Sequence, residues 1–211
     1  MSIASLKLCL VTQSHNQPLE DYLQFLSKAI EGGVTSVQLR EKNIPRPTLQ
    51  HKAKVIKKRL DLLHIPLMIN DDVELAHELD LFGVHLGQND MSPIKAREIL
   101  GPDKIIGLSI ESLHELHKAN ELDCINYVGA SAVFPSTSKE DCKKIWGLNG
   151  LKELAELSRY PVVAIGGINQ GNIQSVFQHG ASGAAVISAI HHQPCAESAS
   201  KNLFQSIQEV I

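Results

Sequence analysis

The chain has 211 residues, of which 43% are hydrophobic and 20% charged, values that fit a globular domain able to bury a core without disulfides. Its formal net charge of -3 argues against a nucleic-acid-binding surface, which normally carries a basic excess. No run approaches the roughly 18 apolar residues needed to cross a membrane. We therefore expect a soluble domain that binds neither nucleic acid nor membrane.

Cysteine usage indicates the compartment. Cys9, Cys124, Cys142 and Cys195 form neither a C-x-x-C pair nor a group with zinc-site spacing, which favours reduced thiols. The opening MSIASLKLCLVT is too short and too weakly apolar for a signal peptide. Both features predict a cytoplasmic protein.

Short apolar, β-branched runs recur along the chain and predict strands. In order, they cover residues 6–12, 35–41, 66–70, 83–87, 104–109, 125–130, 161–167 and 182–188. Stretches with helical spacing separate them, such as 19–33 before a glycine pair and 92–101, where Ser92 and Pro93 suit the N-cap and first helical position.

This alternation of strands and helices predicts a parallel α/β sheet. Eight units are the number at which such a sheet closes, so we predict a single (β/α)8 TIM barrel over residues 1–211. The alternative is an open doubly wound sheet, which normally carries a glycine-rich turn after its first strand. The corresponding segment here, TQSHNQPLE, contains no glycine.

Cationic and amide side chains follow the second predicted strand, in QLREK at 38–42. Alternation along an extended chain places Gln38, Arg40 and Lys42 on one face. An amide, a guanidinium and an ammonium suit an anionic ligand such as a diphosphate ester. A surface ion-pair set at a strand end would explain the charges equally well.

Carboxylates end the next two strands, in Asn70-Asp71-Asp72 and at Asp90. Two carboxylates beside a cationic cluster suit Mg²⁺, which completes its shell with water and substrate phosphate. Capping of the following helix would explain one aspartate. We expect Asp72 to cap that helix while Asp71 and Asp90 face the pocket.

A second anion site is predicted at Gly166-Gly167 and Ile187-Ser188, which close the seventh and eighth strands. Loops at these positions often bind phosphate through backbone N–H groups. A tight turn with positive φ would explain one of the glycines, and the second less readily.

Three further features are ambiguous. Ser109 ends the fifth predicted strand, where a lone serine is more often an N-cap than a ligand. His85, flanked by apolar residues, is predicted to be a hydrogen-bonded interior histidine. The long non-periodic stretch 130–147 holds hydroxyls and lysines, a composition that favours a binding loop.

Taken together, QLREK at 38–42, NDD at 70–72, GVHLGQND at 83–90, AIGGIN at 164–169 and SAI at 188–190 resemble the thiamine phosphate synthase family. The resemblance covers nearly the whole chain in the right order. It implies a transferase of thiamine biosynthesis that joins 4-amino-2-methyl-5-(diphosphooxymethyl)pyrimidine to thiazole phosphate, or its carboxylate, and releases pyrophosphate. It also implies small phosphorylated substrates and one Mg²⁺ per subunit, and leaves a homo-oligomer open.

The resemblance also implies residue roles. Those matching the pyrimidine diphosphate site are Gln38, Leu39, Arg40, Glu41, Lys42, Asn70, Ser109 and Lys139, with Mg²⁺ held through Asp71 and Asp90. Those matching the thiazole phosphate site are Ser136, Thr137, Ser138, Gly167, Ile187 and Ser188. Arg40, Lys42 and Lys139 are the expected catalytic cations, because they can neutralise the leaving diphosphate.

Three segments depart from the family pattern. Ser136 and Ser138 replace threonines, Ser131-Ala132 replaces a Gly-Pro step, and DCKK at 141–144 looks more like a related thiazole tautomerase branch. The alternatives are therefore a tautomerase-like isomerase that needs no metal, and a non-catalytic thiazole phosphate binder.

Overall fold

The computed structural model describes residues 3–14, 17–41, 44–136 and 145–210. Eight parallel strands pair in sequence order, and the last pairs with the first to close a barrel. The strands are β1 (Leu8–Val11), β2 (Ser36–Leu39), β3 (Leu67–Asn70), β4 (Gly83–Leu86), β5 (Ile105–Ile110), β6 (Tyr127–Ser131), β7 (Val162–Ile165) and β8 (Gly183–Val186). The predicted (β/α)8 barrel is confirmed.

Helices alternate with the strands, and the eighth strand is followed by two of them. They are α1 (Leu19–Glu31), α2 (Arg46–Leu62), α3 (Val73–Glu78), α4 (Pro93–Leu100), α5 (Leu113–Asn120), α6 (Gly147–Leu157), α7 (Ile173–Gln178), α8 (Ser188–His191) and α9 (Ala196–Gln208). A 3-10 turn, Ile3–Leu6, precedes β1.

The core has two layers because side chains alternate across each strand. Leu8 and Leu10 of β1 face outward, into the large cluster between strands and helices. Cys9 and Val11 of the same strand face into the barrel, where they meet Tyr127 and other inward residues. Inward positions near the carboxyl ends of the strands are the ones that can reach a ligand.

Helix starts follow the local sequence where a capping residue is present. The Ser92 side chain accepts a hydrogen bond from the Lys95 N–H, and Pro93 occupies the first turn of α4. Ser112 caps α5 in the same way. Ser109 lies inside β5, so its expected role as an N-cap is wrong: the capping hydroxyl is three residues later.

Cys9, Cys124 and Cys195 are free thiols, as predicted, and Cys142 lies outside the described residues. Within the described ranges, no helix is both long and apolar enough to cross a membrane.

Candidate active site

Two adjoining cavities open at the carboxyl ends of the strands. The larger, of about 270 Å³, brings together Gln38, Arg40, Asn70, Asp71, Asp90 and Ser109, all expected in the pyrimidine diphosphate or metal site. The smaller, of about 50 Å³, is lined by Ser136, Gly167, Ile187 and Ser188, all expected in the thiazole phosphate site. Arg40, Ser131 and Ile165 line both cavities, so the two cavities lie next to each other with these side chains at their boundary.

The end of β2 alternates as the sequence predicted, with Gln38 and Arg40 lining the cleft. The Gln38 side-chain amide donates to the Asn70 Oδ1 at 2.5 Å, which fixes both amides at the cleft floor. The Leu39 side chain points the other way and is fully buried in the outer core. A direct side-chain contact between Leu39 and a ligand in the cleft is therefore excluded.

Glu41 faces the β1–α1 loop. Its Oε1 accepts hydrogen bonds from the Thr12 hydroxyl at 3.2 Å and the Ser14 hydroxyl at 2.9 Å, and its Oε2 lies 3.4 Å from the Lys52 Nζ. Thr12 Oγ1 in turn accepts from the Arg40 backbone N–H at 2.9 Å. Through Thr12 and Ser14, Glu41 thus connects the segment that carries Arg40 to the β1–α1 loop.

The two aspartates after β3 have different positions, as expected: one caps the next helix and the other lines the cleft. The Asp72 side chain accepts from the Leu75 N–H at 2.8 Å and caps α3. Asp71 adopts a left-handed conformation with φ of 67° and lines the cleft. Such a backbone is uncommon for a residue other than glycine and often marks a functional constraint.

Asp90 is held in the turn after β4. Its Oδ2 accepts from the Gly87 N–H at 2.6 Å. A Cβ at position 87 would lie 2.9 Å from that same oxygen, so a larger residue there would require the Asp90 carboxylate to shift. The Asp90 carboxylate therefore reaches the cleft in a fixed orientation.

Ser109 belongs to a buried hydrogen-bonded series. The His85 Nε2 lies 2.8 Å from the Ser109 Oγ, and the His85 Nδ1 lies 2.8 Å from the Tyr127 hydroxyl. The prediction that His85 is a hydrogen-bonded interior histidine is confirmed. Burial raises the pKa of Tyr127 well above its usual range, so the phenol keeps its proton.

The double glycine after β7 has a structural explanation at both positions. Gly166 and Gly167 have φ of 98° and 63°, and added Cβ atoms would lie 2.4 Å from the Ala132 Cβ and 2.6 Å from the Pro135 carbonyl oxygen. Both glycines are thus needed for this backbone, and the resulting loop lines the smaller cavity beside Ser188.

Four expected site residues, Lys42, Thr137, Ser138 and Lys139, lie outside the described residues. Conversely, Gln88, Asn89, Glu111 and Ser131 line the cleft and were not among the expected site residues. Glu111 could have been predicted from the sequence, because it lies two residues beyond Ser109 and alternate side chains of an extended chain share a face, as for Gln38 and Arg40. No comparable pattern in the sequence indicated that Ser131 would line both cavities.

Comparison with known proteins adds to this geometry. The family model described as thiamine monophosphate synthase matches residues 8–190. The chain belongs to the thiamine monophosphate synthase family.

Individual members of the family are similar over nearly their full length. The thiamine-phosphate synthase of Chlamydia caviae is 45% identical over 190 residues, 89% of each chain. That of Vibrio campbellii is 44% identical over 197 residues, covering 93% of this chain and 96% of the relative. A solved structure titled thiamine phosphate pyrophosphorylase from Pyrococcus furiosus has a TM-score of 0.88 at 35% identity and covers 99% of this chain and 98% of its own.

Proposed function

We propose that this family member is a thiamine-phosphate synthase. The methylene carbon of the aminopyrimidine loses its bond to the diphosphate oxygen, and the thiazole ring nitrogen forms a bond to that carbon. Pyrophosphate leaves with the bonding electrons, and the product is thiamine phosphate. The attacking nitrogen carries no proton, so no general base is required.

One observation carries the proposal: the two cavities adjoin, and Arg40 lines both. A synthase has to hold two phosphorylated substrates side by side, because placing the reacting atoms in line lowers the activation barrier. A guanidinium between the two sites can also neutralise charge on the departing diphosphate.

The residues in the larger cleft support the binding of the pyrimidine diphosphate. The Gln38–Asn70 amide pair and the Ser109 hydroxyl can hydrogen-bond the ring. Arg40, with Lys42 and Lys139 as further predicted cations, would contact the diphosphate. Leu39 and Glu41 are better assigned to the core and to loop positioning, given their contacts.

The donor set also fits one Mg²⁺ per subunit. Asp71 and Asp90 both line the cleft, and Mg²⁺ is typically held by one or two carboxylates plus substrate phosphate. Among the described residues, no group of three or more His, Cys, Asp or Glu could hold a metal, so water and diphosphate would complete the shell. Bound there, the ion would neutralise the diphosphate as it leaves.

The smaller cavity would hold the thiazole phosphate. The Gly166-Gly167 backbone and the start of α8 at Ser188 line it, and a backbone without side chains allows phosphate oxygens to approach N–H groups closely. Ser136 lies at the same cavity, and Thr137 and Ser138 remain predicted contacts. The substrates are thus small phosphorylated molecules.

No observation on the described residues favours a tautomerase-like isomerase or a non-catalytic binder. The relatives from Chlamydia caviae and Vibrio campbellii carry the synthase name. We also propose a cytoplasmic location, supported by the three free thiols among the described residues, and a homo-oligomeric assembly.

The test is pyrophosphate release by the purified full chain, measured with each substrate alone and with both, with and without Mg²⁺. We expect release only when both substrates and Mg²⁺ are present. Asp71→Asn and Asp90→Asn should raise the Mg²⁺ requirement by at least about 10- to 100-fold, the loss typical of removing a residue that only supports a metal ligand. Asp72→Asn is the matched control, because asparagine caps a helix as well as aspartate; metal-independent turnover of the thiazole alone would contradict the proposal.

A further inference from the structure

The series Tyr127–His85–Ser109 runs from the barrel interior to the cleft. Two glycines leave room for it. A Cβ at Gly107 would lie 2.4 Å from the Tyr127 hydroxyl oxygen, and a Cβ at Gly129 would lie 2.9 Å from the His85 Cε1. The strand register pairs His85 with Gly107 and Ser109 with Gly129, so the space is created by adjacent strands.

The Tyr127 hydroxyl determines the direction of the hydrogen bonds. Tyr127 is 2% exposed, and among the described residues its hydroxyl has one hydrogen-bond partner, the His85 Nδ1 at 2.8 Å. A buried O–H that donates to nothing would lose its hydrogen bond without compensation. The hydroxyl therefore donates, and the His85 Nδ1 accepts.

This hydrogen bond determines the tautomer of His85. A neutral imidazole that accepts at Nδ1 carries its proton on Nε2. That N–H then donates to the Ser109 Oγ at 2.8 Å. With its oxygen already accepting from His85, Ser109 has its own hydrogen left to donate, and its side chain lines the cleft.

We propose that Tyr127 and His85 act as positioning residues that set the proton order at Ser109, so that the Ser109 hydroxyl donates to a ring nitrogen of the bound aminopyrimidine. This inference rests on the proposed function for its ligand. If the hydrogen bonds ran in the opposite direction, Ser109 would donate to His85 and present only an oxygen lone pair to the cleft, which would favour a contact with the exocyclic amino group of the substrate. The direction of the hydrogen bonds therefore favours a contact between the Ser109 hydroxyl and a hydrogen-bond acceptor of the substrate ring.

The direct test is the tautomer of His85 in the substrate-free full chain, measured by long-range ¹H–¹⁵N NMR and assigned with His85→Gln. We expect a neutral ring protonated at Nε2. A ring protonated at Nδ1, or at both nitrogens, would overturn the proposal. This measurement needs no substrate, so it is independent of the proposed function: a chain that released no pyrophosphate would refute the function alone.

A second measurement follows the effect on substrate. Tyr127→Phe removes the fixed donor and should lower kcat/KM for the pyrimidine diphosphate about three- to tenfold, the effect of weakening one hydrogen bond to a neutral group. The KM for thiazole phosphate should not change. Tyr160→Phe is the matched control, since its hydroxyl contacts the Leu122 carbonyl and takes no part in lining either cavity. An equal effect on both substrates would indicate only a structural role and overturn the proposal.

Ligand analogues identify the acceptor. The hydroxymethyl aminopyrimidine and its two analogues with CH in place of one ring nitrogen serve as competitive inhibitors. We expect one analogue to bind wild type about three- to tenfold more weakly than the parent, and Ser109→Ala to abolish that preference. Equal binding of all three by wild type, or a preference that survives in Ser109→Ala, would overturn the proposal.

Discussion

Replacing Glu41 by glutamine tests whether the loop that carries Arg40 is held by a buried charge. The Glu41 carboxylate receives the Thr12 and Ser14 hydroxyls and faces the Lys52 ammonium. Glutamine keeps the shape and one accepting oxygen, so the substitution removes mainly the charge.

The magnitude follows from the burial of the pair. The Lys52 and Glu41 side chains are only 15% and 7% exposed and lie 3.4 Å apart. Removing one partner of a buried ion pair costs about 3–5 kcal/mol. Lys52 retains its hydrogen bond to the Ser14 hydroxyl at 2.8 Å, so we expect a loss of about 2–3 kcal/mol. For a chain of this length that lowers Tm by roughly 4–12 °C.

The assays are urea denaturation, thermal unfolding and steady-state kinetics. Because the Arg40 N–H is held by the Thr12 hydroxyl, kcat/KM for the pyrimidine diphosphate should also fall, by about tenfold. Glu31→Gln is the matched control: its ion pair with Lys28 is shorter, at 2.6 Å, but both side chains are more than half exposed, so Tm should not change. Equal shifts in the two variants, or an unchanged Tm for Glu41→Gln, would refute the reasoning.

Three further predictions concern backbone, thiols and capping. Gly166→Ala should be more destabilising than Gly101→Ala in urea denaturation, because both have positive φ but only Gly166 lacks space for a Cβ; equal losses would contradict this. Burial raises the pKa of Cys9 to about 11, so the stability that the protonated thiol contributes should be complete below pH 9 and lost as the pH rises through 11. Peptide mapping after alkylation at pH 8 should find Cys195 modified and Cys9 protected. Early modification of Cys9 would contradict its burial. Asp72→Ala should cost about 1 kcal/mol while Asp72→Asn costs little, and denaturation midpoints that coincide would rule out the cap.

The fold could be predicted because its determinants are local. Strand runs and helical spacing repeat along the chain, and Ser92 and Asp72 sit where helices begin. The residues that gather in the cleft were predictable for a related reason. In a parallel barrel every strand ends at the same face, so strand-end residues such as Gln38, Asp71 and Asp90 converge without knowledge of their contacts.

The remaining features depend on contacts distant in sequence. Tyr127 and His85 are 42 positions apart, and nothing in either neighbourhood indicates that they meet. Glu41 sits between two cations in the sequence, which suggests a ligand contact, yet its partners come from the β1–α1 loop and α2. Ser109 was expected to cap the following helix, but β5 extends past it to Ile110, and Ser112 is the residue that caps α5.

The central claim is that the two adjoining cavities hold two phosphorylated substrates while the bond between them forms. The most direct measurement is the amount of thiamine phosphate and of pyrophosphate formed by the purified chain from the aminopyrimidine methyl diphosphate and thiazole phosphate with Mg²⁺. The account predicts equal amounts of the two products, and neither when one substrate is omitted. Conversion of the thiazole substrate alone, with no pyrophosphate formed, would contradict it.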